Sequence, residues 1–373
     1  MKIFFVAGEA SGDLHASNLI RSLKEKISGL QTMGVGGDQM QKEGMKIVRH
    51  IRETNFMGFV EVLRNLRQIR GLFRETKRAI VEFNPAAVVL VDYPGFNIRL
   101  LSFLKEQGIK ITWYISPQVW AWKKGRVKTL RRYVDLMLVV MPFEKNFLEK
   151  AGMKADYVGH PILDVIKNDE YDKSRLKREL GLGDSPVIAL LPGSRKQEIS
   201  RILPVMLKAS EKFPGQQVIV AGANTQTVEY YSGILGKSGA KLIMGRTYDV
   251  MAVADAAAVT SGTATLETAL FGVPQVVCYS ANWLSVLIAR AVIQVKYISI
   301  VNIILNRLLV KELIQGQLTV KQLTGELSVL LHSSSDRIRI GSGYRELREL
   351  LGKEGASERA AVLICRWLKP NGN

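Results

Sequence analysis

The chain has 373 residues, 47% hydrophobic and 23% charged, and a formal net charge of +18. This balance excludes an intrinsically disordered chain, and the length predicts two domains. A large positive charge suits nucleic acid, an anionic membrane surface or a polyanionic substrate. Because no nucleic-acid-binding motif is present and the basic residues are mixed with large apolar ones, the pattern favours a membrane surface and no nucleic acid.

Several global features predict a cytosolic protein. Cys278 and Cys365 fit no metal-ligand spacing and are typical of reduced thiols. Residues 1–9 resemble a first strand that enters a glycine turn rather than a signal peptide. The longest apolar stretch, residues 283–295, is interrupted by Arg290 and is too short to span a bilayer.

Alternating strand-like and helix-like segments predict an α/β chain with doubly wound parallel sheets. Short apolar runs predict strands at residues 3–7, 86–91, 109–115, 136–140, 187–191, 218–221, 242–244 and 256–259. Residues 14–27 and 344–368 are predicted to be helices, and the polar stretch 167–178 is predicted to be a linker.

The turn after the first strand is a candidate binding loop, because ligands bind at the carboxyl ends of the strands in an open parallel sheet. This turn, residues 8–13 (GEASGD), contains Glu9, Ser11 and Gly12. It lacks the third glycine of a dinucleotide fingerprint, and no acid follows a second strand at the expected distance. The pattern therefore argues against a nicotinamide cofactor.

Two side chains are candidates for a general base. Asp92 follows an apolar central strand and precedes a Pro-Gly turn that contains Asn97, although a simple turn hydrogen bond is the alternative. His15 follows the turn 8–13 and has an unperturbed pKa of about 6.5, with substrate positioning or a plain helix-surface position as alternatives. We favour Asp92 as the base, and a pairing of the two residues stays open.

Residues 56–77 carry large apolar side chains at helical spacing. The stripe includes Phe59, Val62, Leu66, Ile69 and Phe73. Arginine and lysine outnumber acids on the other faces. A core helix with a solvated basic face is one interpretation, and a helix in a membrane interface is the other.

A tryptophan-rich stretch, residues 116–122 (SPQVWAW), precedes a run of lysine and arginine. Paired tryptophans beside basic residues are typical of a membrane-interface anchor or a substrate platform. Core aromatic residues beside a solvated helix give the same pattern, and the residues alone leave the three interpretations open.

Two turns in the second half are suited to an anion. The strand 187–191 leads to Gly193, Ser194 and Arg195, and arginine offers phosphate a fork of donors. The strand 256–259 leads to TSGTATLE, residues 260–267, at the start of a helix. The unpaired N–H groups and dipole of a helix start favour phosphate.

Several residues of this second turn are binding candidates. They are Ser261, Gly262, Thr263 and Ala264 for phosphate, and Glu267 for a sugar hydroxyl. An ordinary helix cap with a surface glutamate is the alternative. Two anion-binding turns in one half predict a ligand that contains a diphosphate.

These motifs, in this order and spacing, resemble those of the lipid-A-disaccharide synthase family over nearly the whole chain. The matching motifs are GEASGD (8–13), DYPGFN (92–97), SPQVWAW (116–122), LPGSR (191–195), SGTATLE (261–267) and YIS (297–299). The combination of SPQVWAW with a downstream LPGSR and SGTATLE is highly specific.

The resemblance implies an inverting, metal-independent hexosyltransferase with the GT-B fold, in which two Rossmann-like domains face each other across a cleft. It implies residues 1–166, completed by about 345–373, as the acceptor and membrane-facing domain, and residues 167–344 as the UDP-sugar domain. The C-terminal helix would pack back on the first domain or be exchanged with a partner in a homodimer. The resemblance supports a catalytic role for Asp92, and His15 and Glu9 are further catalytic candidates near the acceptor hydroxyl.

The implied reaction joins UDP-2,3-diacylglucosamine to 2,3-diacylglucosamine 1-phosphate. It gives the β-1,6-linked disaccharide 1-phosphate of lipid A, in lipopolysaccharide biosynthesis, and releases UDP. The resemblance implies no cofactor. It also implies a cytoplasmic protein bound peripherally to the anionic surface of the inner membrane.

The loop around Asn302 and Arg307, implied to be part of the donor site, departs from the family pattern. Val301 stands where proline is usual, Leu305-Asn306 where Ala-Gly is usual, and Leu308 where an acid is usual. Both named residues are kept.

Two other functions stay open from the sequence. One is another GT-B enzyme acting on UDP-N-acetylglucosamine, such as a peptidoglycan glycosyltransferase or an epimerase. The other is a non-catalytic basic protein that binds membranes or nucleic acid.

Overall fold

The computed structural model describes residues 1–53, 66–120, 125–166, 171–281 and 296–368, with the backbone alone at positions 66 and 67. The chain divides into two compact units. The first consists of Met1–Val165 together with Leu351–Asn373, and the second of Ile166–Leu350. Each unit contains one parallel sheet with an apolar core.

The first unit contains a seven-stranded sheet in the order β3-β2-β1-β4-β5-β6-β7, with every pair parallel. The strands are β1 (Lys2–Ala7), β2 (Gln31–Gly36), β3 (Lys46–His50), β4 (Ala87–Val91), β5 (Lys110–Tyr114), β6 (Leu136–Val139) and β7 (Asp156–Tyr157). All five residues of β4 are buried, as expected for a central parallel strand covered by helices on both faces.

Helices cover this first sheet, and the last helix of the chain is one of them. They are α1 (Ala10–Lys26), α2 (Asp38–Lys42), α3 (Leu66–Phe83), α4 (Pro94–Glu106), α5 (Arg126–Tyr133), α6 (Glu144–Lys150) and α15 (Ala356–Leu368). Helix α15 packs against α1. Its start is fixed by the Asp164 carboxylate, which accepts hydrogen bonds from the backbone N–H groups of Gly355 at 2.6 Å and Ser357 at 2.9 Å.

The second unit contains a six-stranded parallel sheet in the order β10-β9-β8-β11-β12-β13. The strands are β8 (Val187–Leu191), β9 (Gln217–Gly222), β10 (Lys241–Met244), β11 (Ala256–Thr260), β12 (Gln275–Tyr279) and β13 (Glu312–Ile314). Its helices are α7 (Lys173–Glu179), α8 (Lys196–Ser210), α9 (Val228–Leu235), α10 (Thr247–Val253), α11 (Thr263–Leu270), α12 (Ile300–Leu305), α13 (Val320–His332) and α14 (Ser334–Leu351). Because β8 and β11 are parallel neighbours, the turns after them lie at the same edge of the sheet.

The predicted doubly wound α/β fold is confirmed, and each predicted strand agrees with the observed one to within one residue at either end. The predicted turn 8–13 is wrong, because α1 already begins at Ala10. Asp13 does not close a turn of its own. Its carboxylate accepts hydrogen bonds from the backbone N–H groups of Gly37 at 2.7 Å and Met40 at 3.1 Å, and so fixes the start of α2.

Two further predicted boundaries are wrong. The single terminal helix is interrupted between α14 and α15, where Gly352 and Gly355 have φ values of +81° and +91° that a helix does not tolerate. The predicted linker contains the start of α7, which Asp172 caps by accepting from the Ser174 N–H at 2.9 Å. Among the described helices, none combines the length and apolarity of a bilayer-spanning segment.

Candidate active site

The turn after β4 contains Asp92, and its backbone is strained. Asp92 and Tyr93 both have left-handed φ values, +44° and +46°, which cost non-glycine residues about 1–3 kcal/mol each. The Asp92 N–H donates to the Tyr114 carbonyl at 3.1 Å, and the buried Asn97 amide donates to the Asp92 carbonyl at 2.8 Å. Asn97, predicted to bind substrate, therefore uses its amide group to hold this turn.

The environment of Asp92 changes its acidity. Burial, together with the nearby carboxylates of Glu9 and Glu144, raises the pKa of Asp92 to about 7, while the Tyr93 N–H opposes the change. A carboxyl group with this pKa exchanges a proton readily near neutral pH. The structure thus brings Glu9 and Asp92, two of the predicted catalytic residues, into one electrostatic cluster.

The end of β1 lies beside this turn, because Ala7 pairs with Val91. A side chain at position 8 would overlap the Tyr93 ring, so glycine is needed for this close approach. Glu9 then occupies the N-cap position of α1, and the predicted binding residues Ser11 and Gly12 lie in the first turn of that helix. Ser11 is half-buried and Gly12 is buried.

Glu144, at the start of α6, was missed from the sequence. Its carboxylate is buried and accepts hydrogen bonds from the Ser116 hydroxyl at 2.6 Å, the Trp120 indole N–H at 3.1 Å and the Met141 N–H at 3.0 Å. Burial raises the pKa of Glu144, and these hydrogen bonds oppose the rise. Glu144 therefore ties the SPQVW loop to α6 within the charge cluster of Asp92.

His15 does not lie on a helix surface, so that alternative is wrong. It is only 6% exposed, and its ring makes an edge contact with His160 at a centroid distance of 6.4 Å. Burial lowers the pKa of His15 to about 4, against an opposing contribution from Asp164. A buried imidazole with this low pKa is a weaker base than the Asp92 carboxylate, so Asp92 stays the preferred candidate and a catalytic role of His15 stays a prediction.

The predicted apolar stripe is described only in part. Phe59 and Val62 lie outside the described residues, as does the side chain of Leu66. Ile69 and Phe73 are both half-buried. Phe73 packs against the core of the first unit and stacks on Phe96 at 4.1 Å. From SPQVWAW, Trp120 stands edge-on to Phe143 at 5.0 Å, and residues 121 and 122 lie outside the described residues.

The first anion-binding turn of the second unit connects β8 to α8. Gly193 has a φ of +93°, and a Cβ there would lie 2.6 Å from a Glu198 carboxylate oxygen. The Ser194 carbonyl accepts from the Thr225 hydroxyl at 2.7 Å. The Arg195 side chain is 50% exposed and forms an ion pair with Glu198 at 3.0 Å.

The second turn connects β11 to α11, and Gly262 and Thr263 are exposed at the helix start. Ser261 is already engaged, because its hydroxyl donates to the Ile298 carbonyl at 2.9 Å and its N–H donates to the Cys278 carbonyl at 3.0 Å. The N–H groups of Gly262, Thr263 and Ala264 are therefore the better phosphate donors.

Glu267 lies one turn into α11, as predicted, and accepts a hydrogen bond from the Tyr248 hydroxyl at 3.0 Å. Burial raises the pKa of Glu267, and the Tyr248 hydrogen bond opposes the rise. The Tyr248 hydroxyl donates to Oε1 of Glu267, and a carboxylate has further lone pairs that suit acceptance from a sugar hydroxyl.

Asn302 and Arg307 both make contacts within the second unit. Asn302 is fully buried. Its amide donates to the Val310 carbonyl and the Glu312 carboxylate, both at 2.8 Å, and its oxygen accepts from the Val310 N–H at 3.0 Å. Arg307 forms a two-pronged ion pair with Glu346 at 2.8 and 2.5 Å. Asn302 is therefore corrected from a ligand contact to a loop support.

Among the residues that the structure describes, no group of three histidine, cysteine, aspartate or glutamate side chains is placed to hold a metal ion. The candidate donors for an anion are the N–H groups at the start of α11 and the Arg195 guanidinium.

Known proteins resemble this chain in sequence and in fold. The model of the family described as lipid-A-disaccharide synthetase matches residues 3–364. The lipid-A-disaccharide synthase of Syntrophus aciditrophicus (strain SB) is 40% identical over 375 residues, which cover 98% of both chains. That of Myxococcus xanthus (strain DK1622) is 37% identical over 376 residues, which cover 99% of this chain and 98% of the relative.

Solved structures share the fold at low sequence identity. The UDP-GlcNAc 2-epimerase of Neisseria meningitidis, bound to UDP-GlcNAc, gives a TM-score of 0.68 at 14% identity and covers 100% of both chains. The calicheamicin glycosyltransferase gives a TM-score of 0.61 at 16% identity and covers 99% of this chain and 98% of its own.

Two doubly wound parallel sheets, shared with this epimerase and this glycosyltransferase, define a GT-B protein. At this identity the structural likeness shows the fold alone. The sequence match decides within the class: the chain belongs to the lipid-A-disaccharide synthase family. It is a glycosyltransferase of lipid A disaccharide synthesis, which excludes the epimerase-like and the non-catalytic alternatives.

Proposed function

We propose that the chain transfers 2,3-diacylglucosamine from UDP to the 6-hydroxyl of 2,3-diacylglucosamine 1-phosphate, with inversion to a β-1,6 linkage. The observation that carries this proposal is the carboxyl group of Asp92. It stands at the carboxyl end of a central strand, with a pKa raised to about 7, in a chain of this family.

The proton transfer follows from the acidity of Asp92. In its deprotonated form, the carboxylate accepts the proton of the 6-hydroxyl as that oxygen attacks the anomeric carbon of the donor. The bond from the anomeric carbon to the UDP oxygen breaks, and UDP leaves with the bonding electron pair. Asp92, whose pKa is raised by burial and then by the carboxylates of Glu9 and Glu144, is a stronger base than an exposed aspartate.

The donor diphosphate is assigned to the second unit. The N–H groups of Gly262, Thr263 and Ala264 would hold it at the start of α11, with the Arg195 guanidinium as a charged donor. Arg195 would exchange Glu198 for phosphate, which is feasible because this ion pair is half-exposed and contributes little. Glu267 would accept from a ribose hydroxyl. These groups stabilise the charge that develops on departing UDP.

The acylated substrates place the reaction at a membrane. We infer peripheral binding at the cytoplasmic face of the inner membrane, because the net charge of +18 attracts anionic lipid. Moving acyl chains into water costs about 0.8 kcal/mol per methylene, so the enzyme gains by working in the interface. The half-buried Ile69 and Phe73 are the described part of the stripe assigned to this contact.

The proposal is tested with purified protein, both acylated substrates and a UDP-release assay. We expect UDP release only when donor and acceptor are both present, with formation of the disaccharide 1-phosphate. Equal turnover of plain UDP-N-acetylglucosamine, without the acylated acceptor, would contradict the proposal.

A further inference from the structure

A basic pocket lies between α3 and α4, apart from the residues used above for catalysis. Its volume is about 400 Å³. The basic pocket is lined by Ile69, Arg70, Phe73, Arg74 and Lys77 of α3 and by Arg99 of α4. Four of these six residues are cations, and no carboxylate is among them. Its composition therefore suits an anion that carries an apolar group.

The cations of the basic pocket outnumber the acids near them: Glu75 attracts Arg74, but Glu75 is itself paired with Arg49. Within the described chain, no ion pair involves Arg70, Arg74, Lys77 or Arg99, whereas Arg78, on the same helix, pairs with Glu82 at 3.7 Å. The Lys77 ammonium lies over the Phe103 ring at 4.7 Å, a contact that leaves its charge in place. Clustered like charges repel each other, and a bound phosphate would relieve that repulsion.

The basic pocket is connected to the turn of Asp92. Phe73, in its wall, stacks on Phe96 at 4.1 Å, and Phe96 stacks on Tyr93 at 5.6 Å. Arg99 lies on the helix that begins two residues after Asp92. From Pro94 to Arg99 the rise along that helix is about 7.5 Å, a distance comparable with the width of a phosphorylated hexose.

We propose that the basic pocket binds the phosphomonoester of the acceptor, and so places the 6-hydroxyl of the same sugar at Asp92. Ile69 and Phe73 would contact the first part of an acyl chain. This inference rests on the proposed function and names the part of the first unit that recognises the acceptor. Recognition of the phosphate would also fix which hydroxyl of the sugar reaches the base.

The test compares two acceptors, 2,3-diacylglucosamine with and without its 1-phosphate, in non-ionic detergent micelles that carry no surface charge. The variant is Arg74→Gln with Arg99→Gln. The matched control is Arg52→Gln with Arg78→Gln, which removes two exposed arginines of the same unit that pair with their own acids. We expect the KM for the phosphorylated acceptor to rise about tenfold in the variant, with no change for the dephosphorylated acceptor or in the control.

Other results would overturn the inference. An equal rise in KM for both acceptors would mean a structural role for the two arginines. An unchanged KM, with weaker flotation on phosphatidylglycerol vesicles than the control, would assign the basic pocket to bilayer headgroups instead. Failure of the proposed function is recognised separately, because the wild-type protein would then transfer sugar to neither acceptor.

Discussion

The two units end their central strands differently. After β4 in the first unit, the left-handed backbone falls on Asp92 and Tyr93, whereas after β8 and β11 in the second unit, positive φ values fall on Gly193 and Gly262. The first edge contains the half-buried carboxyl group of Asp92 and the buried one of Glu144, and the pKa values of both are raised. The second edge presents helix N–H groups and an exposed arginine.

This difference corresponds to two kinds of chemistry. In the first unit, the strained turn holds a carboxyl group with few contacts to water. Its charged form is therefore unfavourable, and the carboxylate takes up a proton readily, which is what a general base requires. Glycine turns at helix starts let a ligand approach the backbone closely without strain, which is what a diphosphate requires. We therefore expect substitutions in the first unit to affect chemistry and pH dependence, and those in the second to affect donor stabilisation.

The largest expected effect is that of Asp92→Asn. Loss of the general base should slow single-turnover transfer by about a hundredfold or more, since this is the usual contribution of such a group. UDP binding, measured by titration calorimetry, should be unchanged. In the wild-type protein, kcat/KM should rise with pH through about 7, as the Asp92 carboxyl group loses its proton.

His15→Gln is the companion variant for this prediction. It keeps a polar side chain in the contact with His160 and should cost far less in the chemical step than Asp92→Asn. If His15→Gln abolishes transfer while Asp92→Asn retains it, the two roles must be exchanged.

The second effect is that of Arg195→Ala. Loss of this charged donor should lower kcat/KM by about 30-fold, or about 2 kcal/mol of transition-state stabilisation. Arg201→Ala, which removes an exposed arginine of the same helix, is the control and should leave the rate nearly unchanged. An undiminished kcat/KM in Arg195→Ala would mean that the first anion-binding turn does not bind the donor through Arg195.

The sequence was sufficient to predict the architecture because strands buried on both faces are continuous apolar runs. Val187–Leu191 is such a run, and its predicted and observed bounds are the same. Asp92 was predicted as a site candidate because it directly follows the apolar run of β4. The sequence did not predict a role for Glu144, although it follows β6 by five residues. Its position in the site depends on hydrogen bonds from Ser116 and Trp120, which are far from it in the sequence.

The sequence did not predict which polar side chains are buried by segments that are distant along the chain. His15 is buried and contacts His160, which is far from it in the sequence. Asn302 looked like a polar ligand in an apolar stretch. Its amide is instead saturated by Val310 and Glu312, a contact that only the return of the chain through β13 creates.

The third effect, that of Glu144→Gln, tests whether the first edge is tuned by charge. Removing this carboxylate removes one of the charges that raise the pKa of Asp92, so the acidic limb of kcat/KM should move to lower pH. The rate should also fall about tenfold, because the new NH₂ group would face the donating N–H groups of Val140 and Met141.

Glu149→Gln provides the control for charge, since it removes an exposed acid from the same helix. Glu149→Gln should change neither the transfer rate nor the position of the acidic limb of the kcat/KM profile. A limb that stays fixed in folded Glu144→Gln protein would show that Glu144 acts on the loop alone.

The smallest expected effect is on stability: Asp92→Asn should increase the free energy of unfolding. The folded-state pKa of Asp92 is about 7 against an ordinary 3.8, so the folded protein retains a proton that the unfolded chain releases between these values. Stability is therefore lost as pH rises through this window, and the penalty is complete above about pH 7. Asparagine removes the penalty and tolerates left-handed backbone well.

We expect Asp92→Asn to stabilise the protein by about 1 kcal/mol at pH 8 and not at pH 4, after allowance for the solvent that reaches this half-buried group. Urea unfolding of both proteins at the two pH values measures the difference. Asp38→Asn, at an exposed acid of the same unit, should give no gain. A midpoint for Asp92→Asn that is unchanged or lower at pH 8 would mean that the carboxyl group is not held at a cost, and the contrast between the two edges would then rest on backbone strain alone.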